Sequence, residues 1–122
     1  MQLIAAVFVV VVAALHGFFL VLEMFLWTKP VGLQTFHQSL TKAQESAVLA
    51  ANQGLYNGFL AAGLIWGLIA YGVQAGRPIL TFFLVCIVIA GVYGAATVSR
   101  RILVIQAVPA LVAAGLLWLT RA

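Results

Sequence analysis

Apolar residues run along this chain in four long stretches, interrupted by short polar segments. The stretches cover roughly 2–27, 45–73, 79–98 and 102–119. An α-helix needs about 20 apolar residues to cross the hydrocarbon layer of a bilayer, and each stretch is close to that length or above it. Two of the links are short, "QAGRP" between the second and third stretches and "SRR" between the third and fourth. The first link, "TKPVGLQTFHQSLTKA", is long. Short links join antiparallel neighbours. The pattern therefore predicts an all-α, polytopic membrane protein, with four transmembrane helices in an antiparallel bundle forming a single domain over residues 1–122. The first stretch has no basic leader and no small-x-small cleavage site after it, so it reads as a retained helix and not as a signal peptide. "TKAQ" reads as a capping box that opens the second helix, with Thr41 as N-cap and Gln44 three residues on. Pro109 falls inside the fourth stretch and predicts a bend there.

Composition strengthens this picture. The chain is 66% hydrophobic and 7% charged, where soluble domains average about 25% charged residues. The formal net charge of +4 would suggest nucleic acid in a soluble protein. Here the six basic residues stand at the ends of apolar runs and read as topology signals, so no nucleic-acid partner is expected. The two links expected on one side carry Lys29, Lys42, Arg100 and Arg101, against Arg77 and Arg121 on the other. Cytoplasmic loops are enriched in Lys and Arg. The count thus predicts a multi-pass protein of the cell inner membrane with both termini outside the cytoplasm. Cys86 is the single cysteine, which excludes an intramolecular disulfide and CxxC redox chemistry.

The polar residues inside the stretches are the candidates for chemistry. On the second helix, at about 100° per residue from Asn52, Tyr56 falls near 40°, Gln53 near 100° and Asn57 near 140°. Gly54 and Gly58 lie on the opposite side as a GxxxG pair suited to close packing. On the first helix, His16, Glu23 and Trp27 share a stripe. The third offers Tyr93, Thr97 and Arg100, and the fourth Gln106. Antiparallel packing would bring most of these to one half of the membrane, where uncompensated polar groups cost several kcal/mol each. The expected arrangement is one interior polar pocket. Its primary candidates for binding a ligand or proton are Glu23, His16, Asn52, Gln53, Tyr56 and Asn57, supported by Trp27, Tyr93, Thr97, Arg100 and Gln106.

Each candidate has a plainer reading. Glu23 is the acid well inside a stretch, and an intramembrane acid is a functional hypothesis by default; the alternative is a structural pairing with Arg100 or Tyr93. His16 would ordinarily be a satisfied core histidine. The amides could serve as interhelical glue, worth about 0.6 kcal/mol per contact. Metal binding is not expected, because His16 and Glu23 are seven positions apart, about 10.5 Å along a straight helix. No cofactor motif is present.

The segments "LHGFFLVLEMFLW" and "LAANQGLYNGFLAAGL" resemble the bacterial small membrane proteins grouped as domain-of-unknown-function family 1304. The match covers essentially the whole chain and includes His16, Glu23, Trp27, Asn52, Gln53, Tyr56 and Asn57. The resemblance implies a four-helix membrane protein and supplies no activity.

The functional expectation is a small protein of the lipid bilayer that binds or transports a small or lipid-like ligand, with Glu23 as a proton-exchanging group. The chain is similar to small multidrug transporters in length, span number and the acid in the first span, which brings a homo-oligomer into view; the signature motifs differ. A second expectation is a membrane-embedded, isomerase-like enzyme using His16 and Glu23 as acid and base. A third is a structural subunit of a membrane complex.

Overall fold

A computed structural model of the chain describes residues 1–97 and 99–120. The apolar stretches and the long link form helices: α1 (Gln2–Met24), α2 (Pro30–Thr35, in the link), α3 (Leu40–Ala75), α4 (Arg77–Thr97), the short α5 (Arg100–Ile102), a π-helical turn (Leu103–Ala107) and α6 (Val108–Leu119). No strand occurs among the described residues. The segments Gln2–Met24, Leu40–Ala75, Arg77–Thr97 and Arg100–Leu119 are long and apolar enough to cross a membrane. Val98, the expected end of the third stretch, and Arg121, part of the basic count, lie outside the described residues.

The helix ends differ from expectation in four places, each for a local reason. The first helix stops at Met24, before Trp27. The N–H groups of Phe25 and Leu26 both donate to the Val21 carbonyl, which closes the helix, and Pro30 then starts α2 at its first turn. Proline suits that position because the first N–H groups of a helix have no partner within it.

At the other end of the link, α3 begins at Leu40, and its N-cap is Ser39 in place of Thr41. The Ser39 Oγ accepts from the Lys42 N–H at 3.2 Å, and the Ser39 carbonyl accepts from the Ala43 N–H. Thr41 is already inside the helix, so the expected capping box with Gln44 does not form. Between these helices, His37 takes a left-handed φ of 51°. The Gln38 N–H reaches back to the Leu33 carbonyl at 3.1 Å, the pattern that ends many helices on a left-handed residue.

The turn between the second and third stretches also moves. Gly72 has φ 77° and ψ −175° inside α3, a conformation essentially limited to glycine. The Gly76 N–H then donates to the Gly72 carbonyl, and the Leu80 N–H to the Gly76 carbonyl. The reversal thus occurs at Gly72, and the expected link "QAGRP" is taken up into helical structure. In the fourth stretch, the disturbance expected at Pro109 appears just before it. Pro109 lacks the N–H that would bond the Ile105 carbonyl. The chain widens to a π-helical turn in which the Val108 N–H bonds the Leu103 carbonyl, and Pro109 falls in the first turn of α6.

Internal contacts gather the chain into two compact units, residues 14–61 and residues 1–13 together with 62–122. In the larger unit, Leu80, Leu84 and Ile87 of α4 and Ala107, Ala110, Ala113 and Leu117 of the last stretch are fully buried. Small residues allow close approach: a Cβ added at Gly91 would lie 2.8 Å from the Ala107 Cβ. The end of α6 is held by Arg77, whose Nε donates to the Leu117 carbonyl at 3.2 Å. The Arg77 guanidinium lies 5.4 Å from the Trp118 ring centre, and the Trp118 Nε1 donates to Thr81 Oγ1 at 3.1 Å. A basic side chain suits the last carbonyls of a helix.

Candidate functional site

The smaller unit, residues 14–61, contains the last part of α1, all of α2 and the first part of α3. Its buried polar residues are His16, Glu23 and Asn57, which retain 0%, 5% and 7% of their surface. Large charged side chains are almost never buried to that degree unless they have a partner. Asn57 is that partner: its Nδ2 donates a short hydrogen bond to Glu23 Oε1.

The glycines of α3 explain why so short a side chain reaches across. A Cβ at Gly54 would lie 2.8 Å from Met24 Cγ, 3.0 Å from Glu23 Cβ and 3.2 Å from the Leu20 carbonyl oxygen. A Cβ at Gly58 would lie 2.5 Å from Leu20 Cδ1. Without those atoms the two backbones come close, and an asparagine one residue before Gly58 spans the remaining gap. Ala50, Gly54 and Asn57 are buried together on this face. Asn57 therefore belongs with the packing glycines, although the helical projection grouped it with the other amides. Its position, about 60° from Gly54 and about 140° from Asn52, is the signal that marks it.

The remaining α3 candidates face outward. Asn52, Gln53 and Tyr56 are exposed, and Tyr56 makes an edge-on contact with Phe59 at 5.6 Å. On α1, the His16 ring is fully buried and meets the Phe19 ring edge-on at 5.6 Å. It stands about 10.5 Å along the helix from Glu23, by seven residues of rise.

Trp27 lies in the turn after α1. Its Nε1 donates to Ser46 Oγ at 3.1 Å, and its ring lies 4.8 Å from that of Phe36. Ser46 in turn donates to the Lys42 carbonyl. Gly32 fits beneath this turn, where a Cβ would collide with the Leu26 carbonyl and lie 2.9 Å from the Trp27 oxygen. Ser46 and Gly32 were missed in the sequence. A lone serine on a helix and a glycine in a loop carry no signal until the turn is folded over them.

The other supporting candidates lie in the larger unit. Tyr93, Thr97 and Arg100 are exposed, and Gln106 is half-buried in the π-helical turn. The Thr97 hydroxyl donates to the Tyr93 carbonyl at 2.7 Å, satisfying itself on its own helix.

Chemically, the smaller unit offers a buried carboxyl group with one oxygen held. Glu23 Oε1 accepts from Asn57 Nδ2. The partner is a neutral amide, which can donate to the carboxyl group in either protonation state. Among the described residues no group of three or more His, Cys, Asp or Glu is placed to hold a metal ion.

Comparison with known proteins extends these observations. The chain is similar to an uncharacterized protein, YpaA, of Lactococcus lactis subsp. lactis (strain IL1403). The two are 26% identical over 108 residues, which is 87% of this chain and 89% of the relative. No solved structure matches the chain. Residues 10–118, which include every buried polar residue of the smaller unit, match the family described as "Protein of unknown function (DUF1304)". By that match over most of its length, the chain belongs to the DUF1304 family.

Proposed function

We propose that this is an integral membrane protein of the cell inner membrane, whose four apolar segments cross the bilayer in antiparallel order. We further propose that Glu23, held by Asn57, is its proton-exchanging site for a small or lipid-like ligand. Support for the antiparallel arrangement comes from the smaller unit. Trp27 meets Ser46, Glu23 meets Gly54 and Asn57, and Leu20 meets Gly58. As the number falls along α1, it rises along α3.

The observation that carries the site is a buried carboxyl group whose hydrogen-bond donor is a neutral amide. A purely structural carboxylate in an apolar setting needs a cation or several donors, because one uncompensated buried charge costs several kcal/mol. Glu23 is buried against the neutral Asn57 amide. The carboxyl group can take a proton, and on losing it can accept from a ligand donor. Intramembrane acids mark proton relays and substrate paths in pumps and transporters.

The test is Glu23→Gln, which keeps the size and the amide contact but removes titration. Wild type and variant are purified in detergent at pH 5.5 and pH 8, melted, and analysed by mass spectrometry for co-purifying lipids and small molecules. The expected result is a variant that melts close to wild type and whose bound material no longer changes with pH. A variant that is markedly unstable, while His16→Ala and Asn57→Ala melt like wild type, would make Glu23 structural and end the proposal.

A further inference from the structure

The larger unit, residues 1–13 and 62–122, is basic and has no acid in its sequence. Its charged residues are Arg77, Arg100, Arg101 and Arg121, while the two acids of the chain, Glu23 and Glu45, both fall in residues 14–61. Arg77 is engaged at the end of α6, where it donates to the Leu117 carbonyl and lies 5.4 Å from the Trp118 ring centre. Arg100 and Arg101 stand at the opposite end of the same apolar segment, and both are exposed. Their own unit holds no carboxylate side chain to neutralise them.

These two arginines border an open groove of about 360 Å³, whose other walls are Val104 and Ile105. The four residues form two neighbouring rows, Arg100 with Val104 and Arg101 with Ile105, each pair four positions apart on the helix surface. The lining is almost wholly apolar, so the arginines give the groove their aliphatic stems and hold their guanidinium groups at its rim. The backbone is fixed on both sides of the groove. Ser99 caps the segment by accepting from the Arg101 N–H at 3.2 Å. Val104 and Ile105 lie in the π-helical turn before Pro109, and such widened turns are frequent at functional sites.

We propose that this groove binds an anionic phospholipid, with the phosphate between Arg100 and Arg101 and the start of an acyl chain along Val104 and Ile105. The proposal rests on the membrane reading given above and concerns a site other than Glu23. Two cations stand at the edge of an apolar segment, and two apolar side chains follow about 6 Å further along it, by four residues of rise. A phospholipid has the same order, a charged headgroup and then its hydrocarbon. The arginine fork matches phosphate oxygens in pairs, and basic residues at a membrane surface attract anionic headgroups. An acidic peptide would meet the charges but leave the apolar walls uncovered. A zwitterionic lipid would fit the walls but bring its own cation to the arginines.

The experiment uses the full chain, purified in detergent, stripped of lipid and mixed with phosphatidylglycerol or phosphatidylcholine of the same acyl chains. Bound lipid is counted by native mass spectrometry. The expected result is a preference for phosphatidylglycerol of roughly tenfold, the scale of two basic residues near a membrane surface. The preference should vanish in Arg100→Gln/Arg101→Gln. Lys29→Gln/Lys42→Gln removes as much charge from the smaller unit and should leave it unchanged, as should Glu23→Gln. On the wild type, a phosphatidylglycerol with a photoreactive group at the start of one acyl chain should label the peptide that holds Val104 and Ile105. No preference in the wild type, an equal loss in the lysine pair, a loss in Glu23→Gln, or label elsewhere in the chain would each overturn the inference. Displacement of the lipid by polyglutamate at equal charge would assign the arginines to an acidic protein partner and overturn it too. Alkaline carbonate extraction of native membranes keeps the two readings apart. Release of the chain by carbonate would overturn the membrane reading and this inference with it, whereas a chain that stays in the membrane and shows no lipid preference would overturn this inference alone.

Discussion

Gly54 and Gly58 look equivalent in the sequence, yet the structure gives them different burdens. At Gly54 a side chain would press on the Leu20 carbonyl and on the first atom of Glu23, neither of which can move without the backbone. At Gly58 it would meet only a terminal methyl of Leu20, which a rotamer change removes. Gly54→Ala should therefore lower stability by about 1–3 kcal/mol, as overpacking does, and should weaken the Glu23–Asn57 contact. Gly58→Ala should be near neutral, because alanine is favoured over glycine in a helix interior by about 0.5–1 kcal/mol. Thermal melts of the two variants in the same detergent check this, and equal losses would mean that the helices are not in close contact at Gly54. The polar character of Glu23 and Asn57 was legible in the sequence. Their pairing was not, because it depends on which of two neighbouring faces of α3 turns inward.

At the scale of elements, the break in α3 rests on one residue. Gly72 adopts φ 77° and ψ −175°, and nothing lies within 4 Å of where its Cβ would be. A substitution there is opposed by backbone conformation alone. Gly72→Ala should cost on the order of 1–3 kcal/mol, typical of a residue forced into a sparsely populated region. Gly115→Ala, also with open space around it but within helical α6, should cost nothing. Melting the pair side by side separates backbone strain from crowding. The sequence placed the reversal at "QAGRP" because glycine and proline there are strong turn signals. The chain turned four residues earlier because "AYGV" contains a glycine that can take the required angles, after which the polar residues continue a helix. Similar competition moved the start of α3 from Thr41 to Ser39. Both are good N-caps, and only the geometry of the α2 exit, through His37 and Gln38, selects the earlier one.

For the whole molecule, the basic residues carry the orientation. Lys29 and Lys42 flank α2 and are exposed, and Arg100 and Arg101 lie exposed at the start of the last stretch. Arg77 is half-buried and occupied with the end of α6. The proposed orientation puts the Lys29–Lys42 link in the cytoplasm with both termini outside. In a Cys86→Ser background, His37→Cys should react with a membrane-impermeant maleimide only after the inner membrane is opened. Labelling in intact spheroplasts would reverse the orientation and leave the helices unchanged.

The existence, number and apolar character of the four long helices were set by the sequence alone. Each is a local property: a run of about 20 apolar residues satisfies its own backbone as a helix and has few other stable choices in an apolar setting. The resemblance carried by "LHGFFLVLEMFLW" and "LAANQGLYNGFLAAGL" likewise needed no coordinates. What the tertiary structure decided was which polar group meets which. Asn52, Gln53, Tyr56 and Asn57 lie within six residues and are chemically alike in a linear reading. Only the last is drawn against Glu23, because the absent side chains of Gly54 and Gly58 let α1 approach that face and no other. Close packing is a property of two surfaces together, and a single helix, read by itself, does not contain the second one.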